Sequence, residues 1–189
     1  MKRLLRWFGI GLLLAACSSQ AQVKSNAPQD PKAARQEFSE HINAYLAMQK
    51  EMPEKKPSRQ QSASPEKIEG SREQLAERIR ANRADAKQGD IFTPAVAAML
   101  RDMLRQAMKG TKGAKIRTSL RHAEPVKPLP LKVNESYPEN LPKQSMPPSL
   151  LMALPQLPRE LDYRIVGRDL VLHDVNADLV VDIIPNALP

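Results

Sequence analysis

In residues 161–184, LDYRIVGRDLVLHDVNADLVVDII, apolar and polar side chains alternate with a period of two, interrupted twice by turn-forming residues. That period is the signature of half-buried strands. Gly167-Arg168 suits a two-residue hairpin turn with glycine first, and Asn176-Ala177 suits a second turn. The first turn pairs Ile165 with Leu170 and Tyr163 with Leu172. The second pairs Leu172 with Val181 and Leu170 with Ile183. One face then holds Leu161, Tyr163, Ile165, Leu170, Leu172, Leu179, Val181 and Ile183, with Asp174 at its edge. Two turns placed independently agree on one apolar face, so the stretch reads as a three-stranded antiparallel meander. Three strands alone are marginal, and helices from the rest of the chain are expected to cover that face. The fold class that follows is α+β.

The opposite face puts His173 beside Asp162, and Arg164 near Asp182 across Val171. Such groups read first as cross-strand charged pairs. His173 with Asp162 or Asp182 is the alternative reading, a transition-metal site. Asp174-Val-Asn176-Ala-Asp178 echoes the start of a calcium loop. Leu179 replaces the glycine required at the sixth place and Pro185 the glutamate at the twelfth, so calcium is rejected.

Upstream, nine of the 17 prolines fall between Pro125 and Pro158, and the segment 111–160 reads as a basic, then proline-rich, extended connector. Leu129, Leu131 and Val133 alternate as an edge strand would, and 149–154, SLLMAL, suits one helical turn. The front of the chain is helical. Asp30 and Pro31 form a helix start, and Phe38, Ile42, Tyr45, Met48 and Met52 make one stripe, predicting a helix over 31–52. Residues 53–70 read as a charged, proline-broken linker. A capping box at Ser71-x-x-Gln74 opens a second helix, 72–88, with Leu75 and Ile79 as its large apolar residues. Thr93 and Pro94 open a third, 94–109, whose face is Val96, Met99, Leu100, Met103, Leu104 and Ala107. Phe92 is placed to staple back onto it, and Gly110 to stop it. The Met/Leu stripes are read as core. Residues 110–124 are read as a basic solvated loop, with a loop lying on a membrane surface as the sharper alternative.

At the N-terminus Lys2, Arg3 and Arg6 precede ten uncharged residues, 7–16, WFGIGLLLAA. That length fits a signal-peptide core and is too short to span a bilayer. Leu14-Ala15-Ala16-Cys17 resembles the lipobox of bacterial lipoproteins. The resemblance covers residues 1–18 and implies cleavage before Cys17, lipid on its thiol, and sorting of the Ser18 chain to the outer membrane facing the periplasm. Residues 1–16 are then the signal and 17–29 a flexible tether. An ordinary secretory signal cut after Ala21 is the alternative, giving a soluble exported protein without cysteine. The lone thiol has no partner for a disulfide within the chain.

The 189-residue chain carries a formal net charge of +8, divided unevenly. Residues 1–132 have 25 Lys and Arg against 13 Asp and Glu, whereas 133–189 have 4 against 8. The two parts are expected to attract each other. With 4% aromatic residues and no interleaved stacking residues, the basic balance does not point to nucleic acid. No nucleophile elbow, phosphate loop, HExxH or CxxC occurs, and His41, His122 and His173 lie in three separate pieces. The chain therefore reads as a non-catalytic envelope protein, without cofactor, that binds an envelope partner and is anchored through Cys17. A second resemblance sets the runner-up. Residues 163–184 resemble the C-terminal hairpin of the small periplasmic nickel/cobalt-homeostasis proteins, which implies metal handling; their aromatic-rich strands and histidine-rich front are lacking here.

Overall fold

A computed structural model of the protein describes residues 30–52, 65–121, 130–138 and 146–189. Helix α1 spans Pro31–Glu51, and the Asp30 carboxylate accepts from the Lys32 N–H at 2.9 Å. Its buried stripe is Ala34, Phe38, Ile42 and Tyr45. Helix α2 spans Pro65–Asn82. It begins six residues before the capping box at Ser71 and ends six residues short of the expected 88, so residues 65–70 belong to the helix and not to a linker. Pro65 is itself a good first-turn residue. Gly70 stands inside the helix with open space beside it. The far end closes where the Asn134 amide donates to the Arg83 carbonyl at 2.8 Å, a partner 51 residues away in sequence.

Helix α3 spans Pro94–Ala107, with the Thr93 hydroxyl accepting from the Val96 N–H. Phe92 stacks on Phe38 of α1, ring centroids 5.9 Å apart, and so joins two helices as well as preceding one. Helix α3 ends at Ala107, capped by Met108 and two residues short of the expected 109, and the chain turns at Gly110, at φ +66°. The residues beyond it are not a loop. They form α4, Gly110–Arg121, tucked against the end of α3. Ile116 is buried, and Arg117 Nη1 donates to the Met108 carbonyl at 3.1 Å. A short α5 spans Pro148–Leu151 and buries Leu150.

The C-terminal part is the meander: β1 Leu161–Val166, β2 Asp169–Asp174 and β3 Leu179–Ile184, antiparallel in the order β1-β2-β3. The first hairpin has the expected register, Tyr163 opposite Leu172 and Ile165 opposite Leu170, with Gly167 at φ +60° in the turn. The second begins as expected, with Asp174 opposite Leu179 and His173 opposite Val180, then slips. Leu172 faces Asp182, not Val181, and Leu170 faces Ile184, not Ile183. Val181 is the extra residue of a β-bulge. Beyond it the alternation inverts, so Ile184 enters the main core while Ile183 joins a small cluster on the other face with Tyr137, Val166, Val171 and Val180.

The main core lies between the helices and the expected sheet face, and includes Leu100, Leu104, Leu170, Leu172 and Leu179. Helix α1 packs against α3, and α3 against α5. The outer edge of β3 is paired by connector residues 134–137. Asn134 N–H donates to the Val180 carbonyl at 2.8 Å, Val180 N–H to Glu135 at 2.9 Å, and Tyr137 N–H to Asp178 at 2.8 Å. The edge pairing thus falls just after Leu131 and Val133, which pack on the small cluster; Leu129 lies outside the described residues.

Candidate functional site at the edge of the sheet

Cys17, the tether and the alternative cut site at Ala21 lie outside the described residues, as does His122. Asp162 and His173 do come together. His173 Nδ1 is 2.9 Å from Asp162 Oδ1, and its Nε2 is 2.8 Å from Asp178 Oδ1. Arg164 binds both oxygens of Asp162, at 3.1 and 2.8 Å. Tyr137 covers the group, edge-on to His173 at 5.1 Å and beneath the Arg164 guanidinium at 5.1 Å. Burial raises the Tyr137 phenol above its ordinary pKa, against the lowering effect of Arg164. Arg72 of α2 adds a longer contact to Asp178, 3.8 Å.

Asp182 is not part of this group, and the expected approach of Arg164 to Asp182 is corrected. The bulge turns Asp182 to the helix side of the sheet, where it is fully buried. Its carboxylate accepts from the N–H groups of Gly89, Ile91 and Phe92, at 2.9, 2.8 and 2.7 Å, and from that of Ile183 at 2.7 Å. His173, Asp162 and Asp182 therefore do not converge, and both ring nitrogens of His173 face carboxylates within the chain. Among the described residues no three His, Cys, Asp or Glu side chains are grouped to hold a metal ion.

Asp174 is the second buried carboxylate. It accepts from the Tyr45 hydroxyl at 2.8 Å and from Gln49 Nε2, while its other oxygen accepts from the N–H groups of Asn176 and Ala177 at 2.9 and 2.8 Å. Burial, reinforced by the Asp174 charge, pushes the Tyr45 phenol far above its ordinary pKa. Asp174 thus binds α1 to the second turn, while Asp178 points to the opposite face toward His173. The two aspartates of the calcium-like sequence are engaged apart.

Beside β1 the surface opens into a groove of about 570 Å³, lined by Met146, Leu151, Met152, Leu157, Leu161 and Tyr163 among others. Leu151 is 50% exposed and Met152 88%, two of the four large apolar residues left in solvent among the described ones. Among the described residues, no strand pairs with the outer edge of the strand next to it. In a two-residue hairpin the residues flanking the turn form a hydrogen-bonded pair, and such pairs alternate along the ladder. Val166, Arg164 and Asp162 therefore direct their amides to β2, a pattern continued by Val175 N–H to the Glu160 carbonyl at 2.9 Å. Leu161, Tyr163 and Ile165 direct theirs outward. Leu161 N–H is taken by the Pro158 carbonyl at 3.0 Å, and no backbone partner for the Tyr163 or Ile165 N–H occurs among the described residues. Alternation alone could have marked Tyr163 and Ile165 as outward; the groove, built by α5 and residues 154–158, had no periodic signal.

The chain matches no protein-family model, no curated protein and no solved structure. Among the described residues no helix is long and apolar enough to cross a membrane.

Proposed function

We propose that the protein is a lipid-anchored component of a bacterial cell envelope, held through Cys17 and acting without catalysis by binding a protein partner. The observation that carries the binding role is the mainly apolar groove beside β1, with Leu151 and Met152 exposed near a strand edge that no described residue pairs. A strand edge supplies main-chain hydrogen bonds and an adjoining groove takes apolar side chains, which is the chemistry of strand addition. The lipobox at residues 14–17 supports the anchor, and the polar stretch that follows supplies reach from the bilayer.

The anchor is tested by the intact mass of the mature protein from a bacterial membrane fraction. A chain beginning at Cys17 with added acyl mass is expected. A chain beginning at Gln22 without lipid overturns the anchor. The binding role is tested by chemical cross-linking in intact cells followed by mild solubilisation. A specific cross-link mapping to 146–165 is expected, and repeated recovery of the uncross-linked protein alone counts against it.

A further inference from the structure

We propose that the partner at β1 is a second copy of this chain, added antiparallel about a two-fold axis at Tyr163 so that the three-stranded sheet doubles. The proposal rests on the reading of the β1 edge as the binding surface, and names its occupant. At the opposite edge, residues 134–137 pair the start of β3 at Val180, and farther along the Asp182 carboxylate accepts from the Ile183 N–H and Arg83 donates to the Val181 carbonyl, so the spare main-chain capacity of the described sheet is gathered on β1. An unpaired edge is a template for another strand. An identical strand fits it in a closed, self-complementary way when its side chains agree with the two-fold.

The charges choose the register. Outward amides belong to Leu161, Tyr163 and Ile165, so a symmetric pairing must bring these odd positions opposite one another. An axis at Arg164 sets Arg164 against its own copy, and an axis at Asp162 sets Asp162 against its own copy; both oppose like charges. An axis at Tyr163 sets Asp162 opposite the second copy's Arg164, twice, with Leu161 opposite Ile165. The Asp162 side chain is 38% exposed and that of Arg164 11%, so the carboxylate is the more accessible member of the pair. In this arrangement the two grooves flank the new strand pair, and Leu151 and Met152 lie beside the incoming chain. Confinement to a membrane raises the encounter concentration, so a modest affinity suffices.

The test uses the mature chain in mild detergent, from low micromolar to the highest soluble concentration. Sedimentation is expected to show a monomer–dimer equilibrium. Hydrogen exchange of the Tyr163 and Ile165 amides should slow as the dimer forms, with no change at Arg164, whose amide is bonded to β2 in either state. Asp162→Arg and Arg164→Asp are each expected to weaken the dimer about tenfold, and the double swap to restore it. Because Asp162 and Arg164 also bind within the chain, Ile165→Pro is a second probe. It removes an outward N–H at a position where proline is tolerated on an edge strand, with some loss of packing from the half-buried side chain, and should abolish the dimer while the far-ultraviolet spectrum is kept. A monomer at every concentration overturns the proposal. So does a dimer that ignores both the charge swap and Ile165→Pro. A monomer that cross-links a different envelope protein at 146–165 overturns the second copy as occupant and leaves the binding role standing.

Discussion

Asp182 organises more backbone than any other side chain of the described residues. Three of its donors lie in the loop between α2 and α3, some 90 residues away in sequence. Removing the carboxylate leaves buried N–H groups without acceptors, each costing roughly 1–3 kcal/mol. Asp182→Ala is therefore expected to lower stability by about 3 kcal/mol or more, with Asp182→Asn intermediate, read by urea unfolding. At Asp174 the Tyr45 hydroxyl is one of two donors that reach across from α1. Tyr45→Phe is expected to cost about 1–2 kcal/mol, less than Asp182→Ala, because Gln49 and two backbone amides still serve that carboxylate. Both aspartates were visible in the sequence as polar residues within an apolar stretch. Asp174 was placed on its correct face. Asp182 was not, since alternation without a bulge sends it to the side of Arg164.

At the scale of elements, what was legible divides by how local its cause is. The cap of α1, the start of α3 and the Gly167 hairpin all rest on residues within a turn of one another, and each stands where the sequence puts it. Helix α4 was missed because its basic, glycine-containing sequence has little apolar face; Ile116 and the fit of Gly113 against α3 hold it. A Cβ at Gly113 would lie 1.8 Å from the Met108 carbonyl oxygen. Helix propensity alone predicts that Gly113→Ala gains about 0.5–1 kcal/mol. The packing predicts the reverse, a loss as the α3–α4 junction is forced apart, and a thermal melt of the variant decides between them. The groove was equally illegible, since it is assembled from α5, the following turn and one face of β1, none of which announces a cavity by its spacing.

Across the whole molecule, the basic front and acidic back do meet, although mostly through carbonyl oxygens. Arg80 donates to the Asn134 carbonyl, Arg101 to the Pro185 carbonyl, and Arg72 reaches Asp178. Contacts of this kind near the surface contribute little each, so added salt is expected to lower stability only slightly. Alkaline pH acts more strongly. Burial raises Tyr45 and Tyr163 well above the ordinary tyrosine value. In the unfolded chain both lose their protons near pH 10, whereas the folded chain keeps them. The unfolded state then binds fewer protons, and stability falls as pH rises. The contribution is fully present below about pH 10 and declines above it by about 1.4 kcal/mol per tyrosine per pH unit. Urea midpoints measured across pH 9–11 should show this fall, reduced in Tyr45→Phe and Tyr163→Phe.

The sequence by itself determined the α+β class, the three strands, the first hairpin register and the two better-capped helices, because those depend on side-chain period and on bonds between near neighbours. Only the tertiary structure decided the bulge at Val181, the side on which Asp182 lies, the helical state of 65–70 and 110–121, and the groove beside β1. Those outcomes turn on the satisfaction of buried polar groups by segments remote in the chain. A carboxylate that can bind three amides of the α2–α3 loop is worth a break in the ladder, and no local pattern records that the loop will be there.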